Sequence, residues 1–215
     1  MKVWLLGDSI RLFYEKSAIE KLGDGYEVFS PKENCRFSSY VLNSIRLWLK
    51  TMPVPDIVHF NAGLWDTAII YREDGPFTAL SDYVRDMSRI VRELRRLGAK
   101  VIFATTTPVA DVKATLPGPT PPAHKNDDIM RYNEAVVEML RGTGVEVNNL
   151  FSAMYPERDK YLSEDLIHPN ALGVEMLAEH VAEAIRAVGE YHNEKARDTV
   201  LEEKQEEKTI QFPES

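Results

Sequence analysis

The sequence predicts an α/β fold in which a parallel sheet of about five strands lies between two layers of helices. Short apolar segments alternate along the chain with longer segments whose apolar residues recur at helical spacing. Parallel strands that are joined by helices cross over with one hand and place helices on both faces of the sheet. The 215 residues, 44% of them hydrophobic, suffice for one domain with a buried core. We therefore expect a three-layer, flavodoxin-like sandwich with strand order 2-1-3-4-5.

The first part of the chain supplies three predicted strands and two predicted helices. An apolar run at residues 3–6 predicts a buried strand, and helical spacing over residues 10–22 predicts a helix that ends at Gly23. The elements predicted next are a strand at 26–29, a helix at 38–49 and a strand at 56–60. The third strand leads into a loop that contains Gly63.

The rest of the chain continues the alternation. The predicted elements are a helix at 83–97, a strand at 100–105, a helix at 127–140, a weak strand at 145–150 and a helix at 171–188. We expect one domain over residues 1–188 and a charged extension or tail over residues 189–215, either helical and solvated or disordered. An alternative role for this tail is to form a homo-oligomer.

The charge and the residue counts exclude several classes of protein. Acidic residues outnumber basic ones by 34 to 26, which argues against a nucleic-acid partner. No apolar run reaches the ~18 residues that span a bilayer, so membrane insertion is not expected. The single Cys35 allows no internal disulfide and no cysteine-based zinc site. Because residues 3–6 are too short for a signal peptide, we expect a cytoplasmic protein. The histidines show no spacing typical of a metal site, so no metal is expected.

Ser9 is the first residue whose position suggests chemistry. It follows the first strand in the sequence Gly7-Asp8-Ser9, so it would lie at a helix N-terminus on the edge of the sheet where ligands bind. Backbone N–H groups and the helix dipole favour negative charge there, and a nucleophilic hydroxyl would have part of an oxyanion hole beside it. The alternative interpretation is that Asp8 or Ser9 serves only as a helix cap.

A second candidate is the pair Asp165 and His168, just before the last predicted helix. A serine nucleophile needs a general base, and that base needs a carboxylate on its other ring nitrogen. A spacing of three residues within a helical turn brings the two side chains to one side. The alternative is a surface pair at a helix start.

The loop after the third strand is the third candidate. The Asn61 amide could donate to an oxyanion, and Gly63 would allow a substrate to approach the backbone. The alternative is a glycine turn in which Trp65 anchors the loop. We expect His59, inside the strand, to be a hydrogen-bonded core histidine.

Together these segments resemble the SGNH, or GDSL-type, hydrolases over residues 1–188. The resemblance rests on Gly7-Asp8-Ser9, on a glycine-containing segment that ends in Asp66, and on the Asp165-x-x-His168 spacing. It implies a flavodoxin-like sheet and ester hydrolysis without a cofactor. It also implies that Ser9 is the nucleophile, that His168 is the base and then the acid, and that Asp165 holds His168.

The sequence departs from this family at two places. Trp65 stands where the family's Gly-x-Asn-Asp segment has an asparagine, and the loop after the second strand lacks the family's glycine. The candidate oxyanion-hole donors are therefore Ser9, Asn34, Arg36, Asn61 and Gly63. The candidate substrate-binding residues are Asp8, Trp65 and Phe37.

The function that follows is hydrolysis of a carboxylic ester with a small acyl group, first of all on a carbohydrate. A lysophospholipid or a thioester is the second choice. A non-catalytic binding module on the same scaffold is the competing class. The proline-rich segment at residues 106–126 is too long for a simple connection and is expected to be a lid or a binding loop. Cys35 is an alternative nucleophile, although a lone cysteine is usually a core residue.

Overall fold

The computed structural model describes residues 1–70, 75–110 and 123–209, with side chains up to residue 191. Five parallel strands form one sheet in the order β2-β1-β3-β4-β5. The strands are β1 (Lys2–Leu6), β2 (Glu27–Phe29), β3 (Ile57–Phe60), β4 (Lys100–Ala104) and β5 (Glu146–Asn148). The predicted fold class and strand order are therefore confirmed.

Helices follow the strands and cover the sheet. They are α1 (Ser9–Leu22), α2 (Ser38–Trp48), α3 (Leu80–Arg96), α4 (Asn126–Leu140), α5 (Leu150–Met154), α6 (Arg158–Tyr161) and α7 (Ala171–Thr209), with a 3₁₀ turn at Tyr155–Glu157. The short elements between residues 150 and 161 were not predicted, because they are shorter than the window in which helical periodicity shows. None of the described helices is long and apolar enough to cross a membrane.

The sheet is buried on both faces, which is why β1 reads as a continuous apolar run. Val3 and Leu5 pack into the core beneath α1, α5 and α7, whereas Trp4 and Leu6 pack into the core beneath α2, α3 and α4. All four side chains are completely buried. The last helix continues past residue 188 through the charged segment to Thr209. The division of the chain at residues 188 and 189 remains a prediction.

Two buried asparagines of α4 hold the backbone that leaves β4. Asn133 accepts a hydrogen bond from the Thr106 N–H at 2.9 Å and donates to the Thr106 carbonyl at 3.0 Å. Asn126 makes the same pair of bonds to Val109, at 3.0 and 2.8 Å. Each asparagine side chain thus pairs with both the backbone N–H and the C=O of one buried residue after β4. These groups lie beyond the strand and so have no partner in the sheet.

The segment where the predicted lid ends is hydrogen-bonded to the loop after β3. The N–H of Ile69 donates to the carbonyl of Ala123 at 2.8 Å, and the Ala123 N–H donates back at 3.1 Å. Most of the predicted lid, residues 111–122, lies outside the described residues.

The Asn133→Ala substitution is expected to lower the free energy of unfolding by about 3 kcal/mol. It would leave the buried N–H and C=O of Thr106 without hydrogen-bond partners, and each unsatisfied buried group costs its desolvation free energy. Urea unfolding measures the loss. Glu134→Ala, at the adjacent exposed position of the same helix, is the control and is expected to change stability by less than about 0.5 kcal/mol. Equal losses in the two variants would contradict the role of Asn133.

Candidate active site

Ser9 lies at the first helical position of α1, directly after the carboxyl end of β1. Asp8 caps this helix, since its Oδ1 accepts a hydrogen bond from the Ile10 N–H at 3.0 Å. Gly7 is required by close packing, because a Cβ at this position would lie 2.7 Å from the Cβ of Arg11. The turn therefore presents the half-buried Ser9 with the helix N-terminus behind it.

The structure brings Ser9, His168 and Asp165 into one hydrogen-bonded series. Ser9 Oγ lies 2.8 Å from His168 Nε2, although the two residues are 159 positions apart in the chain. His168 Nδ1 lies 2.6 Å from Asp165 Oδ2. A neutral imidazole satisfies both contacts when Nδ1 donates to the carboxylate and Nε2 accepts from the hydroxyl. In this state Nε2 can receive a proton.

The loop before α7 holds Asp165 in its ionised form. Its Oδ1 accepts hydrogen bonds from Ser163 Oγ at 2.7 Å, the Ile167 N–H at 3.0 Å and the His168 N–H at 2.9 Å. Partial burial by itself would raise the pKa of Asp165, but the hydrogen bonds from the backbone and ring of His168 outweigh it and lower the pKa well below its usual value. Ser163, which the sequence did not single out, belongs to this arrangement.

The same loop is tied to the start of α7. Leu166 adopts a left-handed conformation with φ of 68°, which turns the chain between Asp165 and His168. Asn170 donates to the carbonyls of Lys160 and Leu162 at 2.8 and 3.0 Å and caps α7 through the Gly173 N–H at 3.0 Å. These bonds fix the position of His168 relative to the helix that follows it.

Asp8 is a buried carboxylate with one unused oxygen. The side chain is 1% exposed, and Oδ2 has no hydrogen-bond partner among the described residues. Burial raises the pKa of Asp8 to about 6, against the opposing effects of the Ile10 N–H and of the charges on His168 and Arg11. A carboxylate in this position disfavours folding when it is ionised, so its presence beside Ser9 is not explained by stability.

The loops after β2 and β3 meet the Ser9 turn at Gly7. The Cys35 N–H donates to the Gly7 carbonyl at 3.2 Å, and the Cβ of Asn61 would lie 3.9 Å from a Cβ at Gly7. The side chain of Cys35 is completely buried, and burial raises the pKa of its thiol to about 11. Cys35 is therefore a core residue and not a nucleophile.

Two of the five candidate oxyanion donors already have hydrogen-bond acceptors inside the fold. The Asn61 amide nitrogen donates to the Ala104 carbonyl at 2.8 Å and lies 3.5 Å from Thr106 Oγ1. The backbone N–H of Arg36 donates to Asn34 Oδ1 at 2.9 Å, in a tight turn with φ of 47° at Arg36. Each of these two N–H groups satisfies a nearby acceptor of the fold, and the sequence pattern does not reveal such pairs.

Gly63 is required by packing. A Cβ at this position would lie 2.1 Å from Thr106 Oγ1 and 2.9 Å from the Tyr83 hydroxyl. That hydroxyl donates to the Ala62 carbonyl at 2.5 Å. Tyr83 and Thr106, which the sequence did not single out, thus hold the loop that carries Trp65.

Asp66 connects this loop to the start of α2. Its Oδ2 accepts from the Ser38 N–H at 2.9 Å and its Oδ1 from Ser38 Oγ at 2.7 Å. Asp66 therefore caps a helix that begins far from it in the sequence. Burial raises the pKa of this carboxyl, and the hydrogen bonds from Ser38 oppose the rise.

Phe37 and Trp65, two of the residues proposed from the sequence to bind substrate, contact one another beside this junction. Their ring centroids are 5.5 Å apart at an interplanar angle of 72°. Phe77, which the sequence did not single out, stacks on Phe37 at 4.6 Å, and the guanidinium of Arg36 lies 6.0 Å from the Trp65 ring. We call these four side chains the aromatic wall.

Two other histidines, the buried His59 and the half-buried His124, are not part of the Ser9 series. His59 is a core residue as predicted: its Nε2 accepts from Asn148 Nδ2 at 3.1 Å, and burial lowers its pKa to about 3. Burial and the nearby charge of His168 lower the pKa of His124 to about 4. Among the side chains that the structure describes, no three His, Cys, Asp or Glu residues could hold a metal ion together.

The Asp8→Asn substitution is expected to raise the free energy of unfolding by about 3 kcal/mol at about pH 8. The folded-state pKa of about 6 exceeds the ordinary value of 3.8. The unfavourable contribution of Asp8 is therefore absent below the lower value, grows as the pH rises between the two, and is complete above the higher one. Asparagine keeps the cap on Ile10 and removes the charge.

Urea unfolding across this pH range measures the difference between the Asp8→Asn variant and the wild type. Asp24→Asn, at an exposed position after α1, is the control and is expected to show no such trend. A difference that is constant with pH would contradict the assignment of the titration to Asp8.

The comparison with known proteins identifies the family. The sequence profile of the GDSL-like Lipase/Acylhydrolase family matches residues 39–176, a range that includes Asp165 and His168 and begins after Ser9. The GDSL esterase/lipase CPRD49 of Arabidopsis thaliana is 29% identical over 125 residues, which are 55% of this chain and 48% of that protein. This chain thus spans about half the length of its curated relative.

Solved structures show the same fold at low sequence identity. A lipase/acylhydrolase from Enterococcus faecalis superposes with a TM-score of 0.68 at 19% identity, covering 86% of this chain and 95% of that one. An acetylxylan esterase from Geobacillus stearothermophilus, in the form of a catalytic mutant, superposes with a TM-score of 0.65 at 17% identity, covering 83% and 91%. The match of the family profile to most of the chain shows that this protein belongs to the GDSL-like lipase/acylhydrolase family.

Proposed function

We propose that this protein hydrolyses carboxylic esters through an acyl-enzyme formed on Ser9. The observation that carries the proposal is the hydrogen-bonded series from Asp165 through His168 to Ser9, with distances of 2.6 and 2.8 Å. Such a series is the arrangement by which a weakly nucleophilic hydroxyl is activated. Family membership supports the same reaction class.

The reaction proceeds in two halves. Ser9 Oγ attacks the ester carbonyl while His168 Nε2 takes the hydroxyl proton, and the tetrahedral intermediate collapses as His168 returns this proton to the departing alcohol. A water molecule then attacks the acyl-enzyme, His168 takes its proton, and the acid and free Ser9 are released with the proton back on Oγ. Asp165 holds the imidazole in the required tautomer and stabilises its charged form.

The oxyanion would be stabilised first by the backbone N–H of Ser9, which lies at the positive end of α1 and has no acceptor within the helix. Asn34 and Gly63 remain as further candidates, each through its backbone N–H. Asn61 and Arg36 are weaker candidates, since their donors already have acceptors. One donor of this kind typically contributes about 10²–10³ in rate.

The competing proposal, a non-catalytic binding module, is not favoured by the site. A binding protein has no need to keep a serine hydroxyl within 2.8 Å of a histidine whose other nitrogen contacts a carboxylate. Three hydrogen bonds to Asp165 Oδ1 maintain this geometry. Nor does a binding module need the buried Asp8, which is unfavourable for folding when it is ionised.

The aromatic wall favours a small acyl group on a carbohydrate alcohol as the substrate. Flat side chains such as Trp65 and Phe37 stack on the apolar face of a sugar ring. The hydroxyl groups at the edge of the sugar ring then stay in contact with water. The structural relative from Geobacillus stearothermophilus is an acetylxylan esterase. Lysophospholipids and thioesters are the second choice, and a panel of acyl chain lengths distinguishes them.

The Ser9→Ala substitution is expected to lower kcat for p-nitrophenyl acetate by about 10³-fold or more, because Ser9 is the hydroxyl that contacts His168 among the described residues. His168→Gln should reduce the rate to a similar extent, and the double variant should be no slower than either single one. Labelling of Ser9 by a fluorophosphonate reports the nucleophile independently of turnover.

Ser39→Ala is the matched control, since Ser39 is an exposed serine near the start of α2. It should retain full activity and full labelling. Activity or labelling that survives in the Ser9→Ala protein would refute Ser9 as the nucleophile.

The Trp65→Ala substitution tests the carbohydrate proposal. It is expected to raise KM for an acetylated xylo-oligosaccharide about tenfold, the effect of losing one stacking contact, and to change kcat/KM for p-nitrophenyl acetate by less than about threefold. Val54→Ala, at an exposed apolar position before β3, is the control. If Trp65→Ala affects both substrates equally, Trp65 does not bind the alcohol part.

A further inference from the structure

Phe13 contacts the imidazole of His168 from α1. The two rings stack with their centroids 4.9 Å apart and an interplanar angle of 23°. Phe13 lies four residues after Ser9, and residues at this spacing share one side of a helix. The two side chains of α1 that reach His168 therefore contact it differently: Ser9 meets Nε2 in the hydrogen-bonding direction, and Phe13 covers a face of the ring.

Burial of apolar surface does not account for Phe13. Its side chain is 48% exposed, whereas Ile10, Tyr14 and Ala18 on the core side of α1 are nearly or completely buried. A half-exposed phenylalanine contributes little to the core, and α1 needs no aromatic residue at this position to form a helix. The ring contact that the structure describes for Phe13 is with the imidazole of His168.

We propose that Phe13 is a positioning residue for His168, holding the plane of its imidazole for proton transfer with Ser9 and stabilising the imidazolium that forms during the reaction. This inference rests on the proposed serine-hydrolase function. It adds a residue to the site that lies outside the Ser9-His168-Asp165 series.

The geometry explains the positioning. The hydrogen bonds to Asp165 and Ser9 hold the imidazole at its two nitrogens, but neither restrains the tilt of the ring about the line that joins them. A flat ring 4.9 Å away restrains that tilt. Proton transfer needs a well-aligned donor and acceptor, because hydrogen bonds weaken steeply when they bend.

The electrostatics explain the stabilisation. His168 carries a positive charge each time it has taken a proton, and the negative face of an aromatic ring attracts a cation. Among the described residues, the titratable groups that interact electrostatically with His168 are Asp165 from its own loop, Asp8 from the turn before α1 and His124 from the segment before α4. All three are unchanged when Phe13 is replaced.

Three variants test the proposal. Phe13→Leu keeps an apolar side chain that shields the imidazole from water and removes the aromatic face. Phe13→Trp restores a face. Leu12→Ala is the control, since Leu12 is a 43% exposed residue next to Phe13 in the same helix.

Two measurements are made on each variant. The first is the pH profile of kcat/KM for p-nitrophenyl acetate. The second is the NMR titration of the His168 ring proton, assigned with His168→Gln, which needs no turnover and so separates this proposal from the proposed function. In Phe13→Leu we expect the acid limb and the NMR midpoint to move down by about half a pH unit, with kcat lowered about threefold and KM unchanged.

Phe13→Trp should restore both midpoints, and Leu12→Ala should match the wild type. The proposal is overturned if the Phe13→Leu midpoint stays in place or moves up, or if Leu12→Ala shifts it equally. Thermal unfolding of each variant shows whether its stability has fallen. A fall in activity that is caused by lost stability alone is accompanied by a lower Tm. If no ester is hydrolysed by the wild type, the NMR midpoints still decide the role of Phe13.

Discussion

The packing of the first helix against the last is the constraint on which the candidate site depends. Tyr14 and Ala18 of α1 share one core cluster with Leu177, Ala178 and Val181 of α7. Both helices begin at the edge of the sheet where the parallel strands end, so their N-terminal residues meet there. Ser9 opens α1, and His168 lies in the turn that leads into α7. The short distance between Ser9 and His168 thus follows from apolar packing along two helices.

Polar contacts set the alignment of these helices along their axes. Lys21, in the last turn of α1, pairs with Glu175 and Glu179 of α7 at 3.1 Å each, and Arg186 donates to the Lys21 carbonyl at 2.8 Å. Exposed pairs of this kind contribute little to stability. Their geometric effect differs, because a slide of one helix by a single residue would separate Ser9 from His168 by about 1.5 Å more. Apolar packing therefore supplies the association, and polar contacts supply the register.

The edge of the sheet also contains groups that a protein selected for stability alone would not keep. Asp8 and Asp66 are buried carboxylates, and burial raises the pKa of both. The charge of Asp66 raises the pKa of Asp8 further. Asp66 accepts two hydrogen bonds from Ser38 at the start of α2, whereas Asp8 accepts one from the Ile10 N–H among the described residues, and the rise in its pKa is otherwise opposed only by the charges of His168 and Arg11. Such unequal compensation is typical of sites in which reactivity is maintained at a cost in stability. The turn after β1 is where that cost is concentrated.

The sequence alone determined the alternation of elements, the sheet order and the local sites. The elements and the local sites depend on interactions within a few residues: the apolar run of β1, the cap at Asp8 and the three-residue spacing of Asp165 and His168. The sheet order follows from the alternation of strands and helices, because each crossover connection has the same hand. The tertiary structure decided which donors remain unused and which side chains meet. Asn61 donates to Ala104, Asp66 caps α2, and Phe13 covers His168, all through contacts between segments far apart in the chain. Local periodicity contains no information about such pairs, because their distances are set only when the helices pack on the sheet.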